Sequence, residues 1–165
     1  MTTHEEPTGP HAYEPPAFMR PPQAPSAESM PKDRGPHWID MRSLCQTMVD
    51  EIAPYAERQK VTINLSLCAL PATVIGYTED LRGAVLRLVV NALNAMPDGG
   101  TLILRVERDP YVTVECCDTG PERASTSRSE VRATIEAHRG YVWHRRHPGG
   151  GTCVIIELPA AGPRR

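Results

Sequence analysis

The stretch from Leu81 to Met96 constrains this chain most. It reads as a helix that is apolar nearly all round, through Leu86, Leu88, Val89, Val90, Leu93 and Met96, yet is crossed by one polar stripe. Arg87, Asn91 and Asn94 make that stripe, at i, i+4 and i+7, so all three project from one face. Such a helix must be covered on more than one side. A buried side-chain amide needs hydrogen bonds, so the stripe borders either a polar cleft or a neighbouring backbone. Thr78 stands where an N-cap is expected, Glu79 and Asp80 favour the first turn, and Pro97-Asp98-Gly99-Gly100 ends the helix.

Around it the pattern alternates between helix and strand. Met41, Leu44, Cys45, Met48, Val49 and Ile52 recur at spacings of three and four behind Asp40 as N-cap, predicting a helix that Pro54 kinks or breaks before Lys60. Val61 to Leu67 alternates strictly, as a strand with one buried face does, and a short strand at Thr73-Val74-Ile75 ends at Gly76. Thr101 to Glu107 and Tyr111 to Cys117, joined at Asp109-Pro110, predict an antiparallel hairpin. A helix over about Ser129 to His138 leads through Gly140 to a strand Tyr141-Val142-Trp143. Gly149-Gly150-Gly151 then turns the chain into a last strand, Thr152 to Leu158, ended by Pro159. This order fits a two-layer α/β sandwich, a mixed and mostly antiparallel sheet with three helices on one face and the other face partly open.

Composition sets the boundaries. The first 36 residues hold nine of the 17 prolines and few β-branched residues, so residues 1–37 read as a disordered Pro-rich tail, 38–160 as one domain and 161–165 as a short tail. With Lys+Arg 18 against Asp+Glu 20 the formal net charge is −2, which excludes a globally basic nucleic-acid or membrane binder. His144-Arg145-Arg146-His147 is a local exception, read as the solvated end of a hairpin. No leader or spanning apolar run is evident, and the expectation is a soluble cytoplasmic protein. Cys45, Cys68, Cys116, Cys117 and Cys153 contain no C-x-x-C pair and lie mostly in apolar runs, which predicts reduced buried thiols and neither a disulfide frame nor a zinc site.

Three elements carry the candidate chemistry. The polar stripe is the first. The second is Asp118-Thr119-Gly120-Pro121, an acid aimed by the end of a strand and followed by a glycine that lets a ligand approach the backbone. The third is Gly149-Gly150-Gly151-Thr152, whose plain reading is a hairpin turn. Singly, each has a structural explanation. In this order, with Asn91-Ala92-Leu93-Asn94-Ala95-Met96-Pro97, Ile135-Glu136-Ala137-His138 and Leu158-Pro159, they resemble the ATP-binding domain of histidine kinases. This is the Bergerat fold of the GHKL superfamily, which also holds gyrase, Hsp90-type and MutL-type ATPases. The nitrogen-regulation type of kinase has the most similar wording of the asparagine helix.

The resemblance implies roles position by position. Asn91 matches the asparagine whose amide oxygen helps hold Mg²⁺ against the triphosphate of ATP. Asp118 matches the acid that accepts from the adenine amino group, and Gly120 the glycine beside the base. Thr152 matches the threonine that supports adenine recognition, and Asn94 a position near ribose or phosphate. ATP or ADP, with Mg²⁺, is the implied cofactor.

The chain also departs from that pattern. Position 87 usually carries an acid or amide, and Arg87 can neither coordinate a cation nor take a proton from water, though it can pair with a phosphate. Glu122 stands where the family motif has a second glycine, and Arg123 to Ser127 is a short substitute for the lid that wraps the phosphates. His4-Glu5 echoes an acceptor motif but precedes Pro7 and Pro10, and His138 reads as a packing residue. No residue is assigned a catalytic role. The leading reading is an ATP- or ADP-binding domain acting in two-component-like signalling on a partner in trans, a histidine-bearing kinase domain or a response regulator, with catalysis weak or lost. A non-catalytic interaction module that kept the fold is the alternative, and a serine kinase of the anti-sigma type the third.

Overall fold

A computed structural model of the chain describes residues 35–121 and 128–162. The elements run β1 (His37–Asp40), α1 (Met41–Arg58), β2 (Val61–Leu67), β3 (Thr73–Gly76), α2 (Thr78–Asn94), β4 (Gly100–Arg108), β5 (Tyr111–Asp118), α3 (Arg128–Ala137), β6 (Tyr141–Arg146) and β7 (Thr152–Pro159).

Strand periodicity explains the main sheet. Leu102, Leu104 and Val106 of β4, Val112, Val114 and Cys116 of β5, and Ile156 and Leu158 of β7 recur at every second position and are buried toward the helices. The order is β2-β4-β5-β7-β6, with β2 parallel to β4 and the other pairs antiparallel. Three helices cover one face, with α2 in contact with both α1 and α3. Met41, Cys45, Met48, Ile52 and Ala56 line the buried stripe of α1. Helix α2 is the apolar element its sequence describes, with Leu81, Ala84, Val85, Leu88, Val89 and Ala92 all buried. The two-layer α/β sandwich is as expected.

The local differences have identifiable causes. Helix α1 continues through Pro54 to Arg58. Its start is capped as expected, the Asp40 carboxylate accepting from the Arg42 backbone N–H at 3.0 Å. Thr78 does not cap α2: it is the first helical residue, and its hydroxyl meets His37 Nε2 at 2.7 Å. That contact fastens β1, which pairs antiparallel with β3 in a separate two-stranded sheet. Strand β6 extends beyond Trp143 to Arg146, and His144 to Arg146 are the exposed end of the β6–β7 hairpin, as expected.

The cysteine expectation is corrected in one respect. Cys117 and Cys153 are joined by a disulfide, while Cys45, Cys68 and Cys116 are free thiols. The pair is 36 residues apart in sequence, and the antiparallel register of β5 and β7 sets the two directly opposite. Burial pushes the Cys45 thiol up to about 12, so it stays protonated and unreactive at neutral pH.

His138 is a packing residue. Its Nε2 accepts from the Tyr77 backbone N–H at 3.2 Å and its Nδ1 faces the Thr134 carbonyl at 2.7 Å, an arrangement satisfied by the neutral ring with the proton on Nδ1. No helix among the described residues is long and apolar enough to cross a membrane.

Candidate functional site

Asp118 is the last residue of β5, the middle strand of the five. A strand in that place is covered along most of its length, and the Asp118 side chain is buried with it. The carboxylate is not left without partners. It accepts from the Gly120 backbone N–H at 3.0 Å and from the backbone N–H of Thr152 at the start of β7. Burial raises its carboxyl above the usual carboxylate value. The amides of Gly120 and Thr152, the nearby His147 and the residue's own backbone N–H pull it back down, so the acid is poised by opposing effects.

Glycine is required at two positions around this carboxylate. Gly151 has φ +86, and a Cβ there would stand 2.1 Å from the Asp118 carbonyl oxygen and 2.7 Å from its Oδ1. The turn between β6 and β7 can therefore close onto Asp118 only because position 151 has no side chain. Gly120 is the counterpart on the other side. A Cβ there would lie 2.2 Å from the carbonyl oxygen of Ala95, the residue after the last turn of α2.

The second glycine links the two halves of the candidate site. The backbone after Asp118 rests on Ala95, four residues beyond Asn91, so the carboxy-terminal end of α2 and the ends of β5 and β7 converge. Thr119 ties the same corner, its Oγ1 accepting from Thr101 N–H at 3.0 Å and lying 3.7 Å from Met96 Sδ. Asn91 is half-buried and Asn94 exposed on α2. Arg87, one turn earlier, is directed to α3, with Nε 3.0 Å from Glu130 Oε2.

Asp118, Gly120 and Thr152 are thus brought into one bonded cluster, with Asn91 and Asn94 on the adjoining helix end and Arg87 engaged beside it. The Glu122 and Arg123 to Ser127 expectations fall outside the described residues. Sequence reasoning included Gly151 and Thr119 in the candidate motifs but gave neither an individual role. A signal for Gly151 was present in the glycine run before Thr152, but the packing partner that makes one of those glycines necessary lies 33 residues away.

A groove of about 410 Å³ lies at the other end of β7, lined by Gly76, Tyr77, His138, Leu158 and Pro159 among others, and none of the candidate residues reaches it. On the sheet face away from the helices, the buried Glu115 is bound by Arg105 and Arg145. Its carboxylate and the sulphurs of Cys117 and Cys153 lie within 4.8 Å of one another. Two guanidiniums and a closed disulfide leave that trio poorly suited to a cation.

No family model matches the chain. It is 27% identical to the adaptive-response sensory kinase SasA of Thermosynechococcus vestitus over 148 aligned positions, covering 73% of this chain and 38% of the relative. It is 24% identical to SasA of a Synechococcus strain, covering 75% of this chain and 39% of the relative. The chain therefore corresponds to well under half the length of these relatives.

Among solved structures, the nucleotide-free catalytic domain of histidine kinase ThkA superposes with a TM-score of 0.71 at 16% identity, covering 77% of this chain and 99% of that one. The cytoplasmic segment of histidine kinase QseC gives 0.69 at 22% identity, covering 79% and 82%. Full-length ShkA in complex with AMPPNP gives 0.68 at 19% identity, covering 79% of this chain and 32% of that one. The fold is that of histidine-kinase catalytic domains.

Proposed function

We propose that this chain is an adenine-nucleotide-binding domain of the histidine-kinase type, that it takes ATP or ADP, and that it serves a phosphoacceptor on a separate partner with little or no turnover of its own. The observation that carries the reading is the buried Asp118 carboxylate, held at the end of β5 by the amides of Gly120 and Thr152. A carboxylate with spare acceptor capacity in a partly dry setting recognises an exocyclic amino group, because the charge-assisted bond is worth more there than in water. Full-length ShkA, similar over 79% of this chain, was obtained in complex with AMPPNP, which supports an adenine nucleotide as the ligand class.

Within this reading Asp118 and Gly120 hold the base, Thr152 supports it, and Asn91 and Asn94 face the ribose and phosphates. The amide oxygen of Asn91 is a suitable hard donor for Mg²⁺, which when bound would neutralise phosphate charge. The reading of weak turnover rests on Arg87. A guanidinium cannot ligate a metal or activate water, and here it is paired with Glu130. Phosphoryl transfer depends on positioning and charge stabilisation, so a site that keeps base recognition without those parts binds more than it reacts. The partner is a histidine-bearing kinase domain or a response regulator.

Calorimetric titration of the full chain with ATP and ADP, with and without Mg²⁺, tests the reading. Wild type should bind both nucleotides, and Asp118→Asn should lose about tenfold or more in affinity through loss of a charge-assisted bond. Absence of heat at millimolar nucleotide, or equal affinity in wild type and variant, would remove the proposal.

A further inference from the structure

We propose that Cys117 and Cys153 are a thiol–disulfide switch that sets how firmly Thr152 is clamped to Asp118, and hence how tightly the site holds its nucleotide. The inference about affinity rests on the nucleotide reading above; the inference about the clamp stands on geometry alone.

The placement is specific. Cys117 immediately precedes Asp118 and Cys153 immediately follows Thr152, and these two cysteines form the last registered pair of the β5–β7 ladder. Beyond that pair the chains are held together at Asp118, whose carboxylate accepts from the Thr152 amide and against which Gly151 packs with no room for a side chain. The disulfide is therefore the covalent neighbour of the very contact that shapes the carboxylate. Cys116 belongs to the opposite face of β5 and is buried there, so it does not compete for Cys153.

Opening the bond changes the spacing at this point. The bond holds the two Cα atoms 4.0 Å apart, closer than the roughly 4.5–5.5 Å of an antiparallel pair without a crosslink, so opening it lets the ends of β5 and β7 relax outward. Thr152 N–H then moves from Asp118, the carboxylate loses one of its backbone amide donors, and the clamp loosens.

The chemistry is ordinary thiol–disulfide exchange with a dithiol reductant. One reductant thiolate attacks a sulphur of the pair, the S–S bond breaks, and the leaving cysteine sulphur takes a proton. The reductant's second thiolate attacks the mixed disulfide, freeing the other cysteine, which is also protonated, as the reductant closes its own disulfide. Two electrons and two protons have passed to the protein. Access is controlled, since Cys117 and Cys153 are 2% and 0% exposed. The neighbour of Cys153 on the edge strand β6 is Arg145, whose side chain crosses β7 to pair with Glu115 on β5. That strap must lift before a reductant enters.

The test compares the full chain in two states, oxidised and refolded under dithiothreitol, with thiols counted by alkylation and mass spectrometry. Two readouts are taken: ATP affinity by calorimetry and hydrogen exchange at the Thr152 amide. The oxidised protein should bind ATP about 3- to 10-fold more tightly, the gain expected from pre-ordering one or two site groups. Its Thr152 amide should exchange more slowly. The double variant Cys117→Ser/Cys153→Ser should match the reduced protein in both readouts and ignore dithiothreitol; if it fails to fold, the two wild-type states carry the test. Equal Thr152 exchange in both states overturns the switch, as does equal ATP affinity in both. Slower exchange in the oxidised state with no ATP binding in either supports the redox-set clamp and overturns the nucleotide reading instead.

Discussion

Arg87 on α2 meets Glu130 on α3 with Nε 3.0 Å from Oε2, joining two helices at the edge of the candidate site. Arg87 is 20% exposed and Glu130 63%, so the pair is unequal: the cation is held in place and the acid is easily released. Removing Glu130 should cost the fold less than about 1 kcal/mol, the usual scale for an exposed ion pair. It should also free the guanidinium. Glu130→Ala is expected to raise affinity for ATP in the absence of Mg²⁺, and Arg87→Ala to lower it, with AMP affinity unchanged in both. If ATP affinity is the same in both variants as in wild type, Arg87 has no part in phosphate binding.

The pH profile of binding follows from Asp118. Burial raises its carboxyl above the usual 3.8, partly offset by the Gly120 and Thr152 amides and by His147. If Asp118 holds the adenine amino group as proposed, the ionised form accepts from it and the protonated form does so poorly, so affinity should be full at neutral pH and fall with acidification through a midpoint above 3.8. Stability has the opposite sign. A raised acid in the native state favours folding below its folded value, and that contribution disappears as pH rises through it. Calorimetry between about pH 4 and 7 on wild type and Asp118→Asn should show the step in wild type alone. A step of equal size in the variant would assign it to another group.

Gly151→Ala should be among the most damaging single changes outside the core. Its φ of +86 and a Cβ only 2.1 Å from the Asp118 carbonyl oxygen combine backbone strain with overpacking. A loss on the order of 2–4 kcal/mol in urea unfolding is expected from the two effects together. Gly150→Ala, also at positive φ but with nothing within 4 Å, should lose only about 1 kcal/mol. Equal losses would show that the close approach to Asp118 has no cost.

Asp40 couples the start of α1 to pH. Its carboxylate caps Arg42 N–H and receives the Arg42 guanidinium, whose hydrogen bond leads the effects that hold the acid below its usual value. A depressed acid contributes stability above its unfolded value, and that stability is lost as pH falls through the folded one. Asp40→Ala should cost about 1 kcal/mol at pH 7, the ordinary value of an N-cap. In urea melts the difference from wild type should shrink toward pH 3. A difference that is constant over this range would mean that the charge is irrelevant to the cap.

The elements that sequence reasoning read well are those whose signal is local. The apolar girth of Leu81 to Met96, the strict alternation of Val61 to Leu67 and the breaker Pro97-Asp98-Gly99-Gly100 each act over a few residues, and the corresponding elements follow them closely. Asp118 was legible as a site candidate because it ends an apolar strand. What escaped was set by register and by distant partners. The four residues His37 to Asp40 are too few to show alternation, and their strand exists through pairing with β3 and the His37–Thr78 contact. Cys117 and Cys153 give no motif spacing, because the β5–β7 register alone makes them neighbours. Pro54 was weighed as a helix breaker, but the stripe of Ile52 and Ala56 on either side of it is buried, and packing carries α1 through the missing hydrogen bond.

The order of strands has a consequence for biosynthesis. Strand β7 leaves the ribosome after β6, yet it lies between β5 and β6. A nascent chain that has made only β6 has no neighbour with which to pair it, and the flank of β5 that carries Asp118 waits uncovered until Thr152 to Pro159 emerge and insert. The cluster around Asp118 cannot be complete before that insertion, so if it binds nucleotide as proposed, binding on stalled chains of increasing length should begin abruptly with the release of β7, making the ligand a reporter of completed assembly.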